Sequence, residues 1–138
     1  MSRGAAAADL HKVLFDRLKG DTLLTSALGG AKIFDQEPAN VIFPYLTVGR
    51  TGVYDWSTAT ESGSEQLITL QVWSKAKGRH ETQAIMRLIR QRLDAGLLAL
   101  GTHHLIKLRF EFSEIRHDDD LAVHHGLVRY RAVIEDAA

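Results

Sequence analysis

Four stretches of this chain alternate apolar and polar residues with a period of two, and that pattern fixes most of what it can fold into. From residue 44 toward 56, Leu46 and Val48 alternate with Tyr45 and Thr47. Further on, Ile68, Leu70 and Val72 share one face, with Leu67, Thr69, Gln71 and Trp73 on the other. A third stretch places Ile106, Leu108, Phe110 and Phe112 inward and Lys107, Arg109 and Glu111 outward. The fourth places Val128, Tyr130, Ala132 and Ile134 inward and Arg129, Arg131 and Glu135 outward. Successive side chains of a strand point to opposite faces, so such runs form strands with one covered and one open face.

The cover comes from three helical stretches. Leu10, Val13, Leu14 and Leu18 recur at helical spacing over residues 5–19, where four alanines favour helix. Gly20 ends that helix, Asp21 caps a short one over 22–28, and Gly29-Gly30 stops it. Residues 32–35 read as a short edge strand before Pro38. The main helix, over 79–98, carries the apolar stripe Ile85, Leu88, Ile89, Leu93 and Gly96-Leu97, and Gly101 closes it. Gly49 and Gly52 point to bulges in the first long strand. The chain therefore reads as one α+β domain over residues 1–138, an antiparallel sheet of about four long strands with helices packed on one face.

At 138 residues the chain buries enough surface for a core without a disulfide or metal staple. The absence of cysteine excludes disulfide scaffolds, thiolate zinc sites, iron–sulfur clusters and thiol catalysis, and it fits a reducing compartment. Seventeen basic residues balance seventeen acidic ones, which disfavours a strongly basic nucleic-acid module. No run approaches the ~18 apolar residues of a membrane span, and the first residues lack the apolar core of a signal peptide.

Catalytic patterns are weak. His117, the acidic run Asp118-Asp119-Asp120, and His124-His125 offer ligands for a divalent ion. Adjacent histidines on a strand point to opposite faces, however, which favours an acidic, solvated turn. None of the serines lies in a Gly-x-Ser-x-Gly elbow, and no glycine cluster matches a phosphate loop. No catalytic residue, cofactor or metal ligand is assigned.

Charge is more informative. Residues 75–92 carry Lys75, Lys77, Arg79, Arg87, Arg90 and Arg92 against Glu81 alone, a net +5. Residues 111–120 carry Glu111, Glu114, Asp118, Asp119 and Asp120 against Arg116, a net −4. Two readings stand: solvated surfaces, or head-to-tail complementarity between copies, in which Arg79, Arg87, Arg90 and Arg92 meet Asp118, Asp119 and Asp120 of a neighbour. Arg92 falls on the apolar side of its helix, where it either snorkels to solvent or meets a neighbouring carboxylate. The polar loop over 55–64 is long for a hairpin and holds Trp56, which either folds back on the sheet or serves as a docking anchor.

Several segments resemble a known family. They are Phe43-Pro44-Tyr45-Leu46-Thr47-Val48-Gly49, Asp55-Trp56-Ser57-Thr58, Leu70-Gln71-Val72-Trp73-Ser74, Gly78 before the long helix, and His125-Gly126-Leu127-Val128-Arg129-Tyr130-Arg131-Ala132. In this order, over about residues 5–135, they are similar to a small tail-completion family of phage tail modules and gene transfer agents, akin to lambda-like tail terminators. The resemblance implies a non-enzymatic structural protein that forms a hexameric ring on the head-proximal end of the tail tube. Such a ring stops tube polymerisation and joins tail to head. It also implies the major tail tube protein and a head–tail connector as partners; the length of the 55–64 loop and its tryptophan make Asp55, Trp56, Ser57 and Thr58 the expected contact segment. DNA passes through the lumen without sequence-specific binding. Assembly takes place in the bacterial cytoplasm, away from any membrane, and the protein ends at the head–tail junction of the particle. A head-side connector or stopper is the alternative within this class; a metal-dependent enzyme using residues 117–125 is the alternative from another.

Overall fold

The computed structural model describes residues 3–55, 63–95 and 103–136. Helix α1 (Arg3–Lys19) is followed by α2 (Thr22–Leu28), β1 (Ile33–Phe34), β2 (Tyr45–Asp55) and β3 (Gly63–Ser74). Helix α3 (His80–Asp94), β4 (His103–Asp118) and β5 (Val123–Asp136) complete the order. The five strands form one sheet in the order β1-β2-β3-β5-β4. The four long strands pair antiparallel, as their alternation predicts. The two-residue β1 runs parallel to β2, with Ile33 opposite Leu46, so the sheet is mixed rather than purely antiparallel.

The helices lie on one face because their apolar stripes match the strands' inward residues. Leu10, Leu14 and Leu18 of α1 and Ile85, Ile89 and Leu93 of α3 are buried against Leu46, Val48, Leu70, Val72, Val128, Tyr130 and Ile134. Local signals place α2 tightly. The Asp21 carboxylate accepts from the backbone N–H of Leu23 at 3.0 Å and of Leu24 at 3.1 Å. These are donors that a helix start leaves unpaired. Gly29 adopts φ +79° at the other end, and the Gly30 N–H reaches the Thr25 carbonyl at 2.8 Å. That left-handed turn is the glycine stop which Gly29-Gly30 predicts.

Strand β4 departs from the predicted alternation. Its pairing with β5 slips between Leu105 and Lys107, and again between Phe110 and Phe112. Each slip inserts one residue without a partner and reverses the in–out phase beyond it. Leu105, Leu108, Phe110 and Ile115 therefore pack on the core. Ile106, at 47 % exposure, and Phe112, at 38 %, do not. Placing Ile106 and Phe112 inward is thus corrected: Phe112 stands opposite Arg129, whose guanidinium lies 5.0 Å from its ring. The first long strand also slips, between Arg50 and Gly52, where its glycines point to a bulge.

The predicted loop over 55–64 is shorter than its sequence reads. Asp55 belongs to β2 and pairs with Ser64 of β3, whose side chain is buried. Backbone pairing continues through these residues despite their polar side chains. Trp56, Ser57 and Thr58 lie outside the described residues, as do the last predicted residues of the main helix, 96–98.

Packing of α3 on β5 leaves no room beside Gly126. A Cβ there would come within 2.6 Å of Met86 Sδ and 2.7 Å of Thr82 Cγ2. The thioether can swing aside, but Thr82 is fully buried and stiff at χ1. Gly126→Ala is expected to lower stability by about 1–3 kcal/mol through overpacking, read as a lower urea midpoint. An unchanged midpoint would mean that α3 stands farther from β5 than described here.

Candidate assembly surfaces

The charged residues sort onto different surfaces. Arg79, just before α3, and Arg87 on it are exposed, and with Arg90 they line a groove of about 520 Å³ beside Ser113 and Ile115 of β4. Arg90 is engaged within the subunit. It pairs with Asp94 at 3.0 Å, and its guanidinium lies 3.5 Å from the Phe110 ring centroid. Asp94 also accepts from the buried Tyr130 hydroxyl at 2.9 Å. Burial, then this bond to Asp94, pushes the Tyr130 phenol well above its ordinary value. Arg92 takes a third course. It neither runs free into solvent nor stands unpaired, because its Nε lies 3.6 Å from the carboxylate of Asp21. It thus ties α3 to the cap of α2.

The acidic stretch is not one patch. Glu111 accepts from Arg131 Nε at 2.8 Å, and Glu114 pairs with Arg116 at 3.0 Å. Only Asp118, Asp119 and Asp120 stay together, exposed at the turn between β4 and β5. Asp118 accepts from the Leu121 backbone N–H, and Asp119 lies 2.6 Å from His117 Nδ1. His117 and His124 stack loosely at 4.4 Å, and His124 is buried beneath the turn. Among the described residues, no three histidine or carboxylate side chains converge as a metal site. Nor is any described helix long and apolar enough to cross a membrane.

The open sheet face carries a feature that the alternation alone does not announce. Tyr45, Trp73 and His125 are cross-strand neighbours on β2, β3 and β5, and their rings form a deck. Trp73 stacks on His125 at 3.9 Å with planes 7° apart, and Tyr45 stacks on Trp73 at 6.1 Å. Phe43 packs edge-on against Tyr45 at 5.1 Å, with the Lys75 ammonium 4.6 Å from the Phe43 ring centroid. The deck floors a hollow of about 690 Å³ walled by Glu37, Arg116 and the Asp118–Asp120 turn. His125 Nε2 lies 2.7 Å from Gln71 Oε1. Burial first, and then the nearby Arg116 cation, lower the His125 pKa.

A model of the family described as tail completion protein gp17 matches residues 12–135. The chain belongs to the gp17 family of tail completion proteins. Among solved structures, a chain from the virion of a native gene transfer agent particle aligns with a TM-score of 0.85 at 24 % identity, covering 94 % of this chain and 97 % of that one. The gp17 protein of bacteriophage SPP1 aligns with a TM-score of 0.65 at 17 % identity, covering 94 % and 91 %. At these identities both likenesses establish the fold. No curated protein matches the chain. Membership in the tail completion family agrees with the sequence resemblance and with the α+β architecture.

The His125 environment makes a testable statement about pH. A histidine whose folded pKa is depressed contributes stability above its unfolded value, and that contribution is lost as pH falls through the folded pKa. The melting temperature should therefore drop as pH falls below about 6.5. His125→Phe keeps a ring beside Trp73 and removes the titration, so its melting temperature should fall less between pH 7 and pH 5. Equal slopes for the two proteins would contradict the burial assigned to His125.

Proposed function

We propose that this tail completion protein is the terminator of a phage-like or gene-transfer-agent tail. A homo-oligomeric ring, six copies by the family resemblance, sits on the head-proximal end of the tube. It occupies the surface that the next tube subunit needs, so polymerisation stops. Its opposite side meets the head–tail connector, and DNA crosses the lumen without sequence readout. The chain assembles in the bacterial cytoplasm and ends at the head–tail junction of the particle.

The observation that carries this reading is the family match over residues 12–135. The surfaces support it. The sheet presents one open face, and exposed arginines on and just before α3 stand apart from an exposed acidic turn. Both suit contacts between copies. Arg79, Arg87, Asp118, Asp119 and Asp120 are the subunit-interface candidates best placed for this. Arg90 and Arg92 contribute mainly within the subunit through Asp94 and Asp21.

The connection between β2 and β3 is proposed as the contact to the tube or connector, from Asp55 at the strand end through Trp56, Ser57 and Thr58. A lone tryptophan among small polar residues suits an anchor, whose truncation costs roughly 2 kcal/mol or more at a hot spot. Replacing residues 57–62 by a short Gly-Ser turn leaves both strands intact and should spare folding. In particles complemented with that variant, electron microscopy should find tails overgrown to uneven lengths. Tails of normal length that fail to join heads would favour the connector reading. Normal length with normal joining would mean that the segment takes no part in docking.

A further inference from the structure

The aromatic hollow and the arginine groove lie on opposite faces of the same sheet. Tyr45, Trp73 and His125 occupy the open face, whereas α3 covers the other with Ile85 and Ile89 in the core. No subunit can join its own two surfaces. Each also carries charge that the subunit leaves uncompensated. Among the described residues Arg79 and Arg87 have no ion-pair partner, and neither do Glu37, Asp118 and Asp120. The rim of the hollow is apolar as well as acidic. Leu121 at its edge is 66 % exposed, beside the rings of Phe43 and Trp73 that line it. Exposed aliphatic residues around aromatic rings, ringed by charge, mark a protein-docking surface. The cations near the hollow are already engaged: Arg116 with Glu114, and Lys75 over Phe43.

We infer that the hollow is the acceptor for α3 of a second copy of this chain, with Arg87 entering between the aromatic deck and the Asp118–Asp120 turn and Arg79 flanking it. This rests on the ring reading and deepens it by naming the two halves of the contact. The chemistry is complementary on two counts. A planar guanidinium pairs with carboxylates and also stacks on aromatic faces, which lysine does less well. The 690 Å³ hollow has room for such a side chain together with part of a helix turn. Because donor and acceptor lie on different faces, the contact is heterologous. It propagates from copy to copy and closes where the rotation permits.

Charge reversal tests this pairing directly. Asp120→Lys and Arg87→Glu each place like charges across the contact, and both positions are exposed, so melting temperatures should stay unchanged. Sedimentation at rising protein concentration should show each variant associating at least roughly tenfold more weakly than the unaltered chain. Mixing the two variants restores opposite charges at every contact, alternating along the ring. The mixture should recover association and yield only even-numbered rings. Arg87→Lys should restore association only in part. Unaltered chain that fails to oligomerise, both at high concentration and on tail tubes, would overturn the ring and this contact together. Oligomers that form equally well with either single variant would overturn this contact and leave the ring standing.

Discussion

Strand β5 pairs along nearly its whole length with β3 on one side and β4 on the other, and the rest of the molecule follows from that double pairing. It places Val128, Tyr130, Ala132 and Ile134 on one face, fully buried. It also sets His125 beside Trp73 on the other. Only one face of such a sheet is apolar enough to demand a cover, so α1 and α3 both go there. The opposite face stays open, and its aromatic residues collect at the end where β2, β3 and β5 run in register.

The same pairing decides what the edge can do. Strand β4 is long and has a neighbour on one side only, which by itself invites strand addition from another chain. Its two register slips break the regular ladder and turn Ile106 and Phe112 outward. Bulges of this kind discourage indiscriminate edge pairing. On the proposed ring, assembly would then use side-chain surfaces: the α3 groove and the hollow beside the acidic turn. Within the subunit, Arg92 with Asp21 ties α3 to the cap of α2, while Arg90 pairs within α3 with Asp94, which also accepts from Tyr130 of β5. These pairs are partly exposed, and their worth lies in orientation more than in energy.

Much of this was legible in the sequence, because the signals are local. The Asp21 cap, the Gly29 stop and the period-two runs of β3 and β5 each depend on residues a few positions apart. The misreadings share one physical cause. A bulge is a property of two strands, so nothing within residues 105–112 says where the phase reverses, and the alternation alone puts Ile106 and Phe112 inward. The acidic stretch reads as one patch, yet Glu111 meets Arg131 of the neighbouring β5 and Glu114 pairs along its own strand with Arg116, leaving only the turn. Arg92 reads as an anomaly on its helix until α2 brings Asp21 to it. The hollow gathers residues from Glu37 to His125, and no window of sequence contains them together. Its one hint was the aromatic content of Phe43, Tyr45 and Trp73 within motifs that mark the family.

In the proposed assembly, copies of this chain close a ring at the head-proximal end of a tail tube, with α3 of one copy seated on the open sheet face of the next. Electron cryo-microscopy of intact particles tests it most directly. The expected result is a single ring of this chain between tube and head, with Arg87 of each copy against the Asp118–Asp120 turn of its neighbour. A ring elsewhere in the particle, or one whose open sheet faces look only into solvent, would contradict it.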